Sequence, residues 1–432
     1  MEANADQVAS GREAWQTTSI EIERLRRDIY TTSGFLDDAA AEQTAGVVSS
    51  TFVQDGRILS PRIKECRPGN SAPSRATLRE GDLAVVLVRR VGASALVTAE
   101  HAGCTATRSI GIIRAEPHIV RWLRIWLQTP TAKARIDEDV TAHVEPTISL
   151  DTLRRMLFPL PPPDVITAYH RAFGLIEEMS ALYQETARKA VELADALHDD
   201  WASTIPPWET RPLAKVAKPK TGKGSERSLP PLPTDPTTDV TDVIAPKDLY
   251  DLPVPHVPRF RLSSPANDGE VHPPGTLMLS TRSDGAHIAV PSRPATPLRG
   301  VVAVRPMEDE DGWWLLHELR SRSSDITRLA QGQNGREISA RALKRLEVTW
   351  PDRFTRTNFH TTADPLHAMV RLLVTKIATL HTLRDALLRD ISAKAGVLRE
   401  PTTEPEEQSA PAPRPTAGPA SRGMTGNDEP DP

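Results

Sequence analysis

Nine polar side chains, set at strand ends and in loops, have the types and spacing for recognition chemistry. Arg89 and Arg90 follow the apolar run Leu83 to Val88, so two charges project where a buried strand stops. Arginine's planar fork can donate paired hydrogen bonds to a guanine edge or a phosphate. Arg282 stands at the like place after a second such run, and Arg108 and Arg299 each precede a third strand. Gln333, Asn334 and Arg336 lie in the polar loop just before Ile338. Gln and Asn can pair bidentately with adenine, and the loop's glycines permit close backbone approach. His143 sits in the matching loop Thr141 to Pro146. The bland alternative for all nine is a solvated strand end or an ordinary loop.

Catalytic patterns are missing. Thr221-Gly222-Lys223-Gly224-Ser225 hints at a phosphate loop, but it lacks the upstream glycine and the Ser/Thr directly after lysine. It reads as solvated linker. No His-Glu-x-x-His, no Gly-x-Ser-x-Gly and no Gly-x-Gly-x-x-Gly occurs. Nor does the Asp/Asn-Pro-Pro-aromatic motif of amino-methylating DNA enzymes, for which Pro161-Pro162-Pro163-Asp164 is no substitute. The twelve histidines are scattered, none paired at ligand spacing. The expectation is a non-catalytic chain with no cofactor and no metal.

The elements that must carry these residues come twice, in one order. Gly81-Asp82-Leu83 and Gly275-Thr276-Leu277 open a strand. A glycine turn leads into a second strand ending at Val97 or Val290, and a third strand ends in Arg114 or Arg305. A Trp/Leu-rich helix follows (Trp122 to Leu127; Trp313 to Leu319), then Ile-Ser-x-x-x-Leu-x-Arg at Ile148 and Ile338. An apolar strand running into proline and a long heptad helix close each unit. Such a duplication implies two similar modules in fixed relation. The first heptad stripe includes Ile166, Tyr169, Phe173, Ile176 and Tyr183; the second includes Leu366, Leu373, Ile377, Leu380 and Leu387. Helices of about 33 to 36 residues would span ~50 Å and could pair antiparallel. The tryptophans read as core, and Trp15 to Tyr30 as a short helix.

Composition narrows the class. The net charge is −4, but Arg399 to Pro432 holds three arginines against seven acids, so the body is close to neutral. A lone non-specific nucleic-acid binder is usually basic. Contact with DNA would therefore need a local patch or a partner's charge. Cys66 and Cys104 give no disulfide framework and no zinc spacing, which suits a reducing cytoplasm. No apolar signal core or membrane-length run is present.

The stretch Thr147-Ile148-Ser149-Leu150-Asp151-Thr152-Leu153, continuing through Phe158-Pro159-Leu160-Pro161-Pro162-Pro163, resembles the specificity subunit of type I restriction-modification systems. Leu78-Arg79-Glu80-Gly81-Asp82-Leu83 with Val91-Gly92 is similar to that family's mid-domain strand pair. The resemblance covers roughly residues 46–197 and, more loosely, 269–391. It implies two target recognition domains, each reading half of a bipartite site in double-stranded DNA, with antiparallel helices setting the gap. It also implies DNA adenine methyltransferase subunits as partners, joined in some systems by a translocase or restriction subunit. The second unit departs from the pattern: Val348-Thr349-Trp350-Pro351 replaces the proline run, and Thr276 replaces the aspartate.

The expected architecture is α+β: a first recognition domain (1–163), a spacer helix (164–200), a Pro-rich flexible linker (201–253), a second, truncated domain (254–363), a second helix (364–398) and a disordered tail (399–432). Two other classes stay open: a scaffold that reads no DNA, and a nuclease built from scattered acids.

Overall fold

The computed structural model describes residues 16–19, 29–31, 46–54, 56–59, 76–140, 145–203, 208–229, 240–250, 252–260, 262–265, 270–281, 287–331 and 337–395. Helices and strands are both abundant, and the fold is α+β.

The first half is built from β1 (Gln16–Ser19), β2 (Ile29–Thr31), β3 (Val47–Val48), β4 (Leu83–Val86), β5 (Ser94–Leu96), β6 (Thr105–Ala106) and β7 (Ile110–Ile113). Helices α1 (Pro117–Trp126), α2 (Pro130–Asp139) and α3 (Leu150–Arg155) follow, then β8 (Leu157–Leu160). The main sheet has the order β2-β7-β4-β5. Side chains alternate across a strand, so Leu83 and Val85 face the helices while Ala84 and Val86 face a second apolar cluster. Burial on both faces explains the unbroken apolar run. The helix side packs around Trp122 and Trp126, both fully buried.

The long helix α4 (Pro163–Ser203) then crosses to the second half. That half contains β9 (Thr210–Pro212), β10 (Ala217–Thr221), β11 (Val240–Ile244), β12 (His256–Val257), β13 (Leu277–Ser280), β14 (Ile288–Pro291), β15 (Ala295–Pro297) and β16 (Val301–Pro306). Helices α5 (Gly312–Ser321) and α6 (Ala340–Lys344), strand β17 (Glu347–Thr349) and the long α7 (Arg353–Ala395) complete it. The second sheet has the order β10-β16-β13-β14-β12.

Equivalent pairings recur in the two halves. Leu83 lies opposite Ile113, and Leu277 opposite Val304. Strand β1 pairs antiparallel with β8, and β9 with β17. Parallel pairs join β3 to β6 and β11 to β15. Gly81 and Gly275 both take positive φ at the turn into the central strand.

The long helices run in opposite directions. Tyr169 on α4 meets Asp390 and Lys394 on α7, and Ala187, Ala190 and Val191 meet Val370, Leu373 and Val374. Each helix serves both cores: Ile166, Tyr169 and Phe173 join Leu388, Ile391 and Ala395 in the first. Leu197 and Trp201 pack with Phe359 and Ala363 in the second.

Five expectations are corrected. At both ends of the helix expected over Trp15 to Tyr30 the chain is instead strand, Gln16–Ser19 and Ile29–Thr31, because ladder pairing to β8 and β7 outweighs weak local helical spacing; residues 20–28 lie outside the described residues. The segment expected as flexible linker supplies β9, β10 and β11, with Leu213 and Val216 buried. The loop-like Gly222 within it donates its N–H to Val301 O at 2.8 Å. A Cβ there would sit 2.3 Å from Leu298 O, so close backbone approach, and not phosphate binding, accounts for the glycine. The second unit is accordingly not short of strands, and α7 begins at Arg353, eleven residues before the expected start, with Pro365 inside it. Cys104 is disulfide-bonded, contrary to the expected absence of a disulfide; Cys66 and the tail beyond Ala395 lie outside the described residues.

Candidate functional site

The strand-end arginines are held from below by the sheets. After β4 the chain is tied to the segment before α3: Arg89 N–H donates to Pro146 O at 2.7 Å, and Ile148 N–H to Leu87 O at 3.0 Å. In the second half Ile338 N–H donates to Thr281 O at 2.9 Å. Each candidate loop thus ends beside the strand that carries a candidate arginine. Ser149 then caps α3 by accepting from Thr152 N–H, and Ser339 caps α6 by accepting from Ala342 N–H. Trp122 Nε1–H donates to Pro159 O at 2.7 Å, and Trp314 Nε1–H to Thr349 O at 2.9 Å. These bonds lock the helix of each half onto its closing strand.

Arg89 has φ of +69°, the one positive value for a non-glycine among the described residues. That region is costly for a side chain with a Cβ, and such strain collects at functional sites. Its guanidinium is half exposed and ion-paired to Glu145 at 3.0 Å. Arg90 turns back, donating to the carbonyls of Ser50 at 2.8 Å and Thr51 at 3.3 Å. It lines a cleft of about 370 Å³ with Lys133, Asp137, Arg384 and Asp385, where the first half meets α7. Arg108 and Arg299 are exposed on the turns before β7 and β16. His143, Arg282, Gln333, Asn334 and Arg336 lie outside the described residues. The structure therefore brings Arg89 and Arg90 together at one strand end and places Arg108 and Arg299 on equivalent turns.

Of the residues expected to pair the helices, Ile166, Tyr169, Phe173, Ile176 and Leu373 are buried. Tyr183, Leu366, Ile377, Leu380 and Leu387 are half-buried. On α7 the fully enclosed positions fall one residue later than expected at both ends, at His367 and Leu388. Burial raises the Tyr169 hydroxyl above its ordinary value, and its bond to Asp390 adds to the effect.

Two groups escaped sequence reading. Arg124, on α1, is buried and ion-paired to Glu177 of α4 at 2.8 Å. The other is a histidine series at the junction of β12, α5 and α7. His256 Nε2 lies 2.9 Å from His367 Nδ1, and His367 Nε2 lies 2.9 Å from His317 Nε2. His317 Nδ1 reaches Asp195 Oδ1 on α4 at 2.6 Å. Burial lowers His256 to about 3 and His367 to about 2, and it lowers His317 despite the Asp195 carboxylate. Burial opposes ionisation of Asp195, yet bonds from His317 and Arg320 outweigh it and hold the carboxyl well below its ordinary range. These four residues lie far apart in sequence, so no local motif could reveal them; histidine at the 3-4 spacing Ala363, His367, Val370 was the one available sign.

Among the described residues no His/Cys/Asp/Glu group could hold a metal ion, and no helix is long and apolar enough to cross a membrane. No family model and no curated protein matches the sequence. Solved structures do. The chain is similar to the HsdS subunit from Thermoanaerobacter tengcongensis at 17% identity, covering 89% of this chain and 96% of that one, with a TM-score of 0.32. It is similar, also at 17% identity, to a chain of a type I restriction-modification assembly, covering 89% and 97%, with a TM-score of 0.40. Its similarity to the type I restriction-modification S subunit from M. genitalium covers 87% of this chain and 96% of that one, at 12% identity and a TM-score of 0.50. Over nearly the whole of both chains, this protein shares the fold of that S subunit.

Proposed function

We propose that this chain is the DNA-recognition subunit of a multisubunit methyltransferase of the type I restriction-modification kind, acting in the cytoplasm on a bipartite double-stranded site. It performs no chemistry itself. DNA adenine methyltransferase subunits dock on it, and a translocase or restriction subunit can complete the assembly. The observation that carries this reading is the pair of like-ordered sheets held apart by two shared helices.

In this reading the recognition domains comprise the residues before Pro163 and those from about 208 to 352. The helices α4 and α7 pair as an antiparallel coiled coil that spaces them. From Tyr169, in the first core, to Trp201, beside the second, the helix rises about 48 Å, on the order of 14 base pairs of duplex. Arg108 and Arg299, exposed on equivalent turns, anchor phosphates. Arg89, already strained and half exposed, exchanges Glu145 for a base edge or phosphate. His143, Arg282, Gln333, Asn334 and Arg336 supply further readout from the loops that adjoin these strands. A near-neutral body leaves much of the phosphate neutralisation to partners.

The test is duplex binding by the chain co-purified with its methyltransferase partner across a salt series. The reading expects log K to fall linearly with log salt. Binding that is absent, or flat with salt, would favour a scaffold. One observation supports that second reading: Arg90 is already committed to the Ser50 and Thr51 carbonyls.

A further inference from the structure

We propose that His256, His317 and His367 form a proton-sensitive latch, which holds the second sheet on the helix pair at neutral pH and releases it as the pH falls. The proposal concerns how the halves are joined and stands whether or not either half reads DNA.

The bonding pattern admits one proton arrangement. Asp195, held as a carboxylate by Arg320 and His317, accepts from His317 Nδ1–H. His317 Nε2 is then an acceptor, so His367 Nε2 must carry its proton and donate. His367 Nδ1 is thereby left to accept from His256 Nε2–H. The series ends at His256 Nδ1, which is buried and has no hydrogen-bond partner. All three rings are neutral and every bond is made. The rings are joined in series through both nitrogens of His367 and do not converge on one point, so the arrangement is a wire and not a metal cage.

Each ring belongs to a different element. His256 is on the edge strand β12, His317 on α5, which covers the sheet, and His367 on α7; the anchoring Asp195 is on α4. The wire therefore stitches the second half to both long helices. Trp313 stacks on the His367 ring at 3.9 Å and donates to Asp364 at 3.0 Å, closing the site from the α5 side.

An added proton has nowhere favourable to go. On His317 Nε2 or His367 Nδ1 it would set two N–H groups face to face. On His256 Nδ1 it would place a charge in a buried position with no acceptor. The charged groups facing the rings already have partners. Asp195 has Arg320, and Glu318 has Arg322 with His198 at 3.4 Å. Asp364 has Arg371 at 3.8 Å, and Arg371 lies over the Trp313 ring. The acids are matched by arginines, so a histidine cation would be the uncompensated charge.

The sign of the pH effect follows. In the released state each ring titrates near its ordinary value of 6.5, whereas in the docked state all three sit lower. The released state binds more protons below that pH. Docking is unaffected above it and weakens on acidification, by up to tenfold per pH unit for each histidine that gains a proton.

The experiment is hydrogen exchange by mass spectrometry on the full chain between about pH 7.5 and pH 5.5, corrected for intrinsic exchange. It compares peptides over β12, α5 and residues 359–374 with peptides over β4 and α1. The latch requires protection in the first set to fall at least about tenfold per pH unit below pH 6.5, ahead of the second set. His367→Gln is the diagnostic variant. Its amide can accept from His256 and donate to His317 but cannot titrate, so the pH dependence should become shallower by about tenfold per unit while docking at pH 7.5 persists. A flat profile, simultaneous loss in both halves, or an unchanged slope in the variant would overturn the proposal. Should His367→Gln not fold, the unmutated profile decides alone.

Discussion

The two halves share a strand order but bury polar groups differently. In the first, the turn into the central strand carries Asp82, which is almost fully enclosed. It accepts from Arg114 at 2.7 Å and 2.6 Å and from Arg79 N–H at 2.7 Å. In the second, the equivalent positions hold Thr276, buried with no partner for its hydroxyl, and an exposed Arg305. There the buried polarity has moved to the histidine wire, whose members come from the sheet and from both long helices. The first half closes the Asp82 contacts internally and meets the helices through apolar side chains, Tyr169 and the Arg124–Glu177 ion pair. The second depends on the helices to satisfy its own interior. Like strand orders thus go with a buried ion pair inside one half and a histidine series shared with the helices in the other.

That contrast can be broken most forcefully at Asp82. Replacing it with alanine removes both carboxylate bonds from the part-buried Arg114 and should cost about 3–5 kcal/mol, the range for breaking a buried pair. Thr276→Ala should cost under about 1 kcal/mol, since no hydrogen bond is lost. Urea unfolding of both variants measures the difference, and equal losses would erase the contrast. Gly222→Ala comes next. Its Cβ meets the Leu298 carbonyl, so separation of β10 from β16 should cost about 1–3 kcal/mol; a neutral result would return that segment to the status of a linker. The smallest effects test what the halves share. Ser149→Ala and Ser339→Ala each remove one cap and should each cost about 1 kcal/mol. In binding, Arg108→Ala and Arg299→Ala should each lower the salt slope by about one and weaken all duplex sequences alike.

Much of the frame was legible because it rests on local pattern. Alternation and continuous apolar runs located β4, β13 and β16, and the 3-4 spacing located α4 and most of α7. The paired tryptophans were read as core and are buried. What escaped depends on distant partners. Gln16–Ser19 is a strand only because β8 lies beside it. The Pro- and Lys-rich stretch around Lys218 looks soluble, yet alternate residues Ala217 and Pro219 turn inward against β16. His367 was passed over for Leu366 because a heptad reading favours the apolar neighbour, whereas the histidine is enclosed by His256, His317 and Trp313. Of the recognition residues, type and loop placement were legible; the commitments of Arg89 to Glu145 and Arg90 to backbone carbonyls were not.

The central claim is that two like units, held at a fixed distance, read two half-sites for a methyltransferase. Methylome sequencing of cells with and without the gene tests it most directly. The account predicts loss of one motif with two defined halves separated by a fixed, unspecified gap. An unchanged set of methylated motifs would contradict it.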